Sequence, residues 1–259
     1  MKKVALITGA STGIGKEFAR IHAQKGGDLV IVARRKEKLE ELKSELENQH
    51  NTKVICIVKD LSLKNAPKEV YDEIKNAGIE IEFLINNAGF GGRGKFHERD
   101  WKQDEAMINV NIKALTSLTR LFLPEFVKRN SGKILNVSST ASYIPGPLQA
   151  VYFATKSYVT FFSNALAEEL SDTKVTVTSL HPGATESEFA VVSGMDKTSM
   201  FQKTFSARSV AEKGYNGMLK GKLNVLAGVN AMQKIMFTMI PFIPRKTALK
   251  MVRKMQEVN

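Results

Sequence analysis

A tyrosine and a lysine four residues apart are the clearest catalytic candidates in the chain. Tyr152 and Lys156 lie in a segment with helical spacing, so both side chains fall on one face of a helix. A lysine ammonium beside a phenol favours the phenolate and lowers the tyrosine pKa. Such a phenol can give a proton to a carbonyl oxygen or take one from an alcohol. Alone, the pair is an ordinary surface combination, so its meaning depends on the rest of the chain.

Three glycines follow the first apolar segment, in the run TGASTGIG at residues 8–15. Glycine lets the backbone turn tightly and approach a ligand, and the start of a helix offers free N–H groups to a pyrophosphate. The place of this turn, between a first strand and a first helix, predicts a dinucleotide site. Its spacing is G-xxx-G-x-G, not the commoner G-x-G-x-x-G. The predicted contacts are Gly9, Ser11, Thr12, Gly13, Ile14 and Gly15.

Two arginines stand where a chain selective for NAD carries an acidic residue. The second predicted strand ends in Arg34 and Arg35, and guanidinium groups match phosphate geometry, so the pair predicts the 2′-phosphate of NADP. A solvated helix start is the alternative, although positive charge is unfavourable at a helix N-terminus. Asp60 and Leu61 close the third predicted strand. The Asp60 carboxylate could accept a hydrogen bond from the adenine amino group or cap the next helix.

Taken together, these residues resemble the short-chain dehydrogenase/reductase family. The resemblance extends from Lys3 to about Phe189, and the ordered set of short motifs is highly specific. It comprises the glycine turn, Asp60-Leu61, the run NNAG at residues 86–89, Asn111, Ser139, Tyr152 with Lys156, and Pro182-Gly183. Within the family, the chain is similar to a bacterial branch of broad specificity, close to the reductases of 3-oxoacyl chains and 17-keto steroids.

The resemblance implies a mechanism in which Tyr152 protonates a carbonyl oxygen while NADPH delivers hydride to the carbon. Ser139 would hydrogen-bond that oxygen, whereas its neighbour Ser138 is interpreted as structural. Lys156 would lower the Tyr152 pKa and bind the nicotinamide ribose. Asn111 would hold a water that relays protons to Lys156.

The remaining cofactor contacts also follow from the resemblance. Asn87, Ala88 and Gly89 would line the ribose, and Pro182 and Gly183 would begin the segment over the nicotinamide. Either Thr185 or Ser187 could contact the carboxamide, because the sequence departs here from the family's usual pattern. Thr12 replaces the basic residue of many NADP-using members. NADP preference therefore rests mostly on Arg34, with Arg35 or Lys38 as helpers.

Alternating apolar and amphipathic segments must position these residues. Strands are predicted at Lys3–Ile7, Leu29–Ala33, Val54–Lys59, Phe83–Asn86, Lys133–Ser138, Val175–His181 and Leu223–Ala227. Helices are predicted at Ile14–Gln24, Lys36–Asn48, Ala66–Asn76, Trp101–Arg129, Ala150–Leu170 and Ala207–Lys220. This order predicts a single doubly wound α/β domain of the Rossmann type, with a mostly parallel seven-stranded sheet and helices on both faces. The domain would span residues 1–228, with a helical extension at 229–259.

The segment after Pro182-Gly183 is expected to form a flap over the substrate, at about residues 185–206. Its apolar residues predict an adaptable apolar pocket, although a loop packed on itself is the alternative; they are Phe189, Val191, Val192, Met195, Met200, Phe201 and Phe205. The opposite wall is expected from Pro145, Leu148, Gln149 and residues 90–93. We therefore expect an apolar ketone, steroid or 3-oxoacyl compound.

Composition excludes several other classes of protein. The chain has 259 residues, 43% of them apolar, and 38 Lys and Arg against 26 Asp and Glu, a net charge of +12. One cysteine excludes a disulfide framework, and the four histidines lack metal-ligand spacing. The first apolar run is too short for a signal peptide, so a cytoplasmic protein is expected. Nucleic acid is not expected as a partner, because the excess charge is concentrated from Phe201 onward rather than over the sheet domain.

Two features remain open. Residues 245–258 form a basic amphipathic segment, whose apolar face would pack on the domain or on a second subunit, or alternatively rest on anionic lipid. The resemblance implies a homodimer or homotetramer through the helices at residues 101–129 and 150–170. A non-catalytic NADP-binding sensor or scaffold is the rival function, since fold alone does not establish catalysis.

Overall fold

The computed structural model describes residues 2–239 and 242–257, where the chain forms one parallel sheet flanked by helices. The strand order is β3-β2-β1-β4-β5-β6-β7, and every pairing is parallel. The strands are β1 (Val4–Thr8), β2 (Asp28–Ala33), β3 (Val54–Val58), β4 (Ile81–Asn86), β5 (Lys133–Val137), β6 (Thr176–Pro182) and β7 (Asn224–Ala227). The predicted seven-stranded Rossmann-type sheet is confirmed.

The helices cover both faces of this sheet. They are α1 (Gly13–Gln24), α2 (Lys36–Gln49), α3 (Ala66–Asn76), α4 (Trp101–Ile108), α5 (Leu115–Lys128), α6 (Ala150–Glu169), α7 (Phe189–Ser193), α8 (Ala207–Leu219), α9 (Ala231–Met239) and α10 (Arg245–Gln256). Short 3₁₀ turns occupy Phe96–Glu98, Thr140–Tyr143 and Ser199–Phe201. Strand order reverses between β1 and β4, which in such sheets opens a crevice at the carboxyl ends of the strands.

The strands alternate their side chains between two apolar layers. Ile7 and Ile31 pack into the layer that includes Phe18 of α1, whereas Leu6 and Val30 pack into the layer that includes Phe122 of α5. Because successive strand residues point to opposite faces, a strand covered on both sides must be apolar throughout. This requirement explains the near-continuous apolar runs in the sequence.

The segment predicted as one α-helix at Trp101–Arg129 contains a π-helical stretch at Asn109–Ala114, between α4 and α5. That single-helix prediction is wrong in its geometry, because apolar periodicity does not reveal one extra residue per turn. π-Helical turns are rare and occur frequently at functional sites. Here the stretch carries Asn111, which is fully buried.

The C-terminal extension continues the fold as α9 and α10. Residues 1, 240, 241, 258 and 259 lie outside the described part of the chain, as do the predictions that fall on them; for Met200 this applies to the side chain. Among residues 2–239 and 242–257, no helix has the length and apolar character needed to cross a membrane. Within the same ranges, no group of three or more His, Cys, Asp or Glu is arranged to hold a metal ion.

Candidate active site

A cleft of about 430 Å³ lies at the carboxyl ends of the strands, a volume in the range of small-molecule sites. All but two of the predicted site residues line it. Those present are Gly9, Ser11, Thr12, Gly13, Ile14, Arg34, Arg35, Asp60, Leu61, Asn87, Ala88, Gly89, Ser139, Tyr152, Lys156, Pro182, Gly183, Thr185 and Ser187. The two exceptions, Gly15 and Asn111, lie behind the cleft wall.

The glycine turn leaves an open backbone cradle at one end of the cleft. Gly9 and Gly13 have φ values of +67° and +54°, which side-chain-bearing residues rarely adopt. A Cβ at Gly9 would lie 2.9 Å from the Ala88 Cα, and one at Gly13 would lie 2.9 Å from the Ser187 Cβ. The first turn of α1 has no acidic residue, and Thr12 makes no side-chain capping bond. The free N–H groups there suit an anionic pyrophosphate.

Gly15 supports this turn rather than facing the cleft. A Cβ at Gly15 would collide with the Gly9 carbonyl oxygen and with Nδ2 of Asn87. Asn87 Nδ2 in turn donates to the carbonyl oxygens of Thr8 and Gly9 at 3.0 and 3.2 Å. The predicted direct cofactor contact of Gly15 is therefore replaced by a packing role, because the third glycine permits the helix to approach the strand closely.

The two arginines at the end of β2 differ in their partners. Arg35 donates to Ser11 Oγ at 3.2 Å and pairs with the Glu188 carboxylate of the flap at 2.9 Å. Arg34 is exposed and lines the cleft, and it makes no hydrogen bond or ion pair with any residue that the structure describes. Arg34 is thus the cation that is free to meet a phosphate.

Asp60 lies at the same end of the cleft as Arg34. Its Oδ1 accepts a hydrogen bond from the Ser62 backbone N–H at 2.9 Å, which closes the turn after β3. The contact to an adenine amino group stays a prediction.

Tyr152 and Lys156 are both buried on the inner face of α6. The Lys156 ammonium donates to the Val137 carbonyl oxygen at 2.8 Å, and its Nζ lies 5.9 Å from the centre of the Tyr152 ring. Burial lowers the pKa of Lys156 to about 8. Burial also raises the pKa of Tyr152 to about 12, against the opposing effect of a hydrogen bond with Ser139.

The expected lowering of the Tyr152 pKa by Lys156 is therefore wrong for the structure without ligand. Desolvation disfavours the charged form of both groups, and the Lys156 ammonium is directed at a backbone carbonyl. The phenol is protonated at neutral pH and is poised as a proton donor.

The two adjacent serines divide as the sequence indicated. Ser138 Oγ donates to the Lys156 carbonyl oxygen at 2.8 Å and lies 2.7 Å from Thr160 Oγ1, so it joins β5 to α6. Ser139 lines the cleft, and its Oγ accepts from the Ala141 backbone N–H at 3.1 Å. Only Ser139 faces the space beside the phenol.

Asn111 uses its side chain to hold the cleft wall. Its Oδ1 accepts from the Phe90 N–H at 3.1 Å, and its Nδ2 donates to the Phe90 carbonyl and to Thr155 Oγ1, both at 3.0 Å. A Cβ at Gly89 would lie 3.0 Å from Asn111 Oδ1 and 3.2 Å from Lys156 Nζ. Asn111 and Lys156 therefore meet behind Gly89. The proposed water relay stays a prediction.

The other end of the cleft is apolar and aromatic. The Phe189 ring lies 5.3 Å from the Tyr152 ring and 6.3 Å from the Phe201 ring, and Val192 and Met195 of the flap also line the space. Gln149 and Phe90 lie in the opposite wall, as predicted. Pro145 and Leu148, by contrast, are not among the lining residues, because the chain turns away there with Leu148 at a φ of +66°.

Sequence reasoning missed several residues of this wall. Val110, Ala141 and Phe153 line the cleft; of these, Phe153 was within reach, since it directly follows Tyr152 on α6. Val252 of α10 packs against the apolar cluster that contains Tyr152 and Phe153. Gln149 Nε2 donates to Gln256 Oε1 at 2.9 Å, and Arg93 Nε donates to the Gln256 carbonyl at 2.6 Å. No local pattern indicates these contacts.

A buried ion pair holds the loop after β4 that carries this wall. Arg99 binds Asp104 at 2.8 Å, with side-chain exposures of 12% and 2%, and donates to the Arg93 carbonyl at 2.9 Å. We expect Asp104→Ala to lower the free energy of unfolding by about 3–5 kcal/mol, because Arg99 would keep an uncompensated buried charge. Urea denaturation measures this change. Asp72→Ala, which removes an exposed pair with Lys68, should have little effect; equal effects would contradict the assignment.

Comparison with known proteins follows the same pattern. A family model described as short chain dehydrogenase matches residues 3–198. The very-long-chain 3-oxoacyl-CoA reductase of Homo sapiens is 32% identical over 261 residues, 98% of this chain and 79% of that protein. The NADP-dependent 3-hydroxy acid dehydrogenase of Schizosaccharomyces pombe is 38% identical over 199 residues, 73% of this chain and 74% of that protein.

Among solved structures, a short-chain dehydrogenase from Sphingobium yanoikuyae in complex with NADPH superposes with a TM-score of 0.82. It is 29% identical, and the match covers 99% of both chains. The similarity thus includes α9 and α10, which the family model does not reach.

Proposed function

The chain belongs to the short-chain dehydrogenase family, and on that basis we propose that it is an NADP(H)-dependent oxidoreductase that interconverts a carbonyl group and a secondary alcohol. The observation that carries this proposal is the position of Tyr152, Ser139 and Lys156 in the same cleft as the glycine turn and Arg34. A proton donor, a second hydrogen-bonding group and a cation therefore stand beside a phosphate-binding cradle.

The cleft suits NADP(H) at three points. The cradle formed by Gly9 and Gly13 leaves room that a Cβ would fill, the N-terminus of α1 suits the pyrophosphate, and Arg34 is free for a 2′-phosphate. The names of two relatives, one NADP-dependent and one solved with NADPH, support the same cofactor. When bound, NADPH supplies the hydride.

The residues of the chain handle the proton. Tyr152, protonated because burial raises its pKa to about 12, donates its phenolic proton to the substrate oxygen. Ser139 donates a second hydrogen bond to the same oxygen and orients it. Lys156, as a buried cation, stabilises the phenolate that forms. In the oxidative direction the same phenolate takes the proton back from the alcohol.

The substrate that fits this cleft is apolar. Aromatic and methionine side chains at one end of the cleft accommodate an alkyl or ring system of variable shape, and the 3-oxoacyl and 3-hydroxy acid relatives carry a carbonyl or hydroxyl on such a chain. We propose a lipid-like ketone, a steroid or a 3-oxoacyl compound as the substrate class.

A spectrophotometric screen tests the proposed function directly. Ketones, 3-oxoacyl thioesters and ketosteroids are offered with NADPH or NADH, and loss of the reduced nicotinamide absorbance is followed. Turnover of at least one class with NADPH is expected. NADPH binding in a titration without turnover of any class would instead favour the sensor or scaffold function.

The reductive activity should depend on pH through Lys156. Its pKa is lowered to about 8, so below that pH it is a cation that stabilises the developing phenolate, and above it the charge is lost. Because kcat/KM reports the free enzyme, we expect log(kcat/KM) for NADPH to be level up to about pH 8 and then to fall. The Tyr152 proton does not limit this range. A Lys156→Met variant should show a low profile without that inflection; an unchanged inflection would exclude Lys156 as its origin.

We further propose assembly into a homodimer or homotetramer. The family resemblance suggests the helices around α5 and α6, and α6 leaves Phe161 and Tyr158 exposed on its outer face, consistent with a subunit contact. Light scattering on the eluting protein measures the oligomeric state.

A further inference from the structure

Four large apolar side chains near the end of the chain project into solvent. Their exposed fractions are 80% for Met232, 66% for Ile235, 50% for Met239 and 78% for Phe242. We call these four residues the C-terminal patch. The three on α9 are spaced i, i+3 and i+7, so they share one helix face. Exposed apolar residues that cluster on one surface mark an interaction site.

The opposite face of α9 is held by the domain. Met236 and Phe237 are half-buried, and the Phe237 ring lies 5.6 Å from the Tyr143 ring, which stacks on His181 at 5.0 Å. The orientation of the helix is therefore set by packing on its inner side. The C-terminal patch faces away from the protein.

A row of cations accompanies this patch on α10. The inner side of α10 is fixed by Ala248, which is buried, and by Gln256, which bonds to Gln149 and Arg93. Its outer side carries four exposed basic residues that form no ion pair with any other residue in the described ranges: Arg245, Lys246, Lys250 and Lys254. Between Val229 and Gln256 the sequence contains no acidic residue.

We propose that the C-terminal patch and the cations of α10 together dock the protein on the surface of an anionic lipid bilayer. Apolar side chains on a helix lying in the interface enter the acyl boundary, and adjacent lysines and arginines meet the headgroups. The helices lie on the membrane and do not cross it. This assignment differs from the sequence-based alternative, which considered residues 245–258 alone: the apolar face of α10 is turned inward, and α9 supplies the membrane-facing residues.

A second copy of the chain is a poorer occupant of this surface. A two-fold dimer places the same patch of each subunit against itself, so the cations of α10 would approach their own copies. Protein interfaces also exclude charge from their cores. An anionic bilayer satisfies both the apolar and the cationic groups, because its headgroups carry the opposite charge.

Vesicle flotation of the full chain tests the proposal without reference to catalysis. We expect co-flotation with vesicles of phosphatidylcholine and phosphatidylglycerol, weak binding to phosphatidylcholine alone, and release at high salt. Ile235→Glu with Phe242→Glu should abolish binding. Lys246→Glu with Lys250→Glu should lower the partition coefficient by about thirtyfold or more.

Matched substitutions on α5 serve as controls for these variants. Val127→Glu and Lys128→Glu alter an exposed apolar and an exposed basic residue away from the patch, and both should float like the unchanged protein. Thermal melting verifies that each variant is folded. Equal flotation of all folded variants would overturn the proposal, as would absence of binding to anionic vesicles. A patch variant that instead dissociates an oligomer, with no vesicle binding by the parent, would identify a subunit interface and also overturn it.

Discussion

The Tyr152→Phe variant is expected to lose carbonyl turnover by a factor of about 10²–10⁴, the range associated with removal of a general acid. The substitution deletes only the phenolic hydroxyl, and the ring continues to pack between Phe153 and Phe189. NADPH binding, measured by titration of its fluorescence, should stay nearly intact because the glycine turn and the arginines are untouched. Steady-state kinetics of the purified variant provide the comparison.

A second tyrosine on the same helix is the control for this result. Tyr158 is partly exposed, and its hydroxyl pairs with Thr116 Oγ1 at 3.1 Å. Tyr158→Phe removes the same atom from α6 and should leave kcat unchanged. Activity close to that of the parent in Tyr152→Phe would exclude Tyr152 as the proton donor.

The Arg34→Asp variant is expected to bind NADPH about 10–100-fold more weakly while its affinity for NADH hardly changes. A hydrogen bond to a charged group contributes about 1.5–3 kcal/mol, and the new carboxylate would repel the 2′-phosphate. The same carboxylate can accept a hydrogen bond from the 2′-hydroxyl of NADH. Parallel titrations with the two nucleotides give the ratio of dissociation constants.

The neighbouring arginine should respond differently. Arg35 is already bound to Ser11 and Glu188, so Arg35→Asp is expected to change the NADPH affinity less than Arg34→Asp does. Lys128→Asp makes the same change of charge on α5, away from the cleft, and should affect neither nucleotide. If Arg34→Asp weakens NADPH and NADH binding equally, the 2′-phosphate assignment is wrong.

Much of the fold was predictable because its signals are local. The helix at Ala66–Asn76 occurs with the predicted bounds, and the predicted strand at Phe83–Asn86 begins two residues earlier, at Ile81. The added residue Ile81 pairs with Val4 across a register shift, which no single strand encodes. The π-helical stretch at Asn109–Ala114 was also not predictable, since the apolar pattern of the surrounding helix continues across it.

Within the site, identity was easier to predict than role. The glycine turn, Arg34 and the Tyr152/Lys156 pair were found from residue type and spacing, and they line one cleft. The same reasoning assigned Gly15 to the cofactor, whereas it packs against Gly9 and Asn87. It also expected a lowered Tyr152 pKa, whereas burial raises it.

The sequence by itself determined what depends on neighbouring residues: the alternation of strands and helices, the backbone freedom of the glycine turn, and the spacing that places Tyr152 and Lys156 on one face of α6. Tertiary structure alone decided how much water each group loses and which distant partner it meets. Desolvation depends on every segment that covers a side chain, so the proton affinity of Tyr152 cannot be obtained from its neighbours. For the same reason Gln149 meets Gln256 across 107 residues of chain, and the direction in which α9 presents its apolar face follows from its packing on Tyr143.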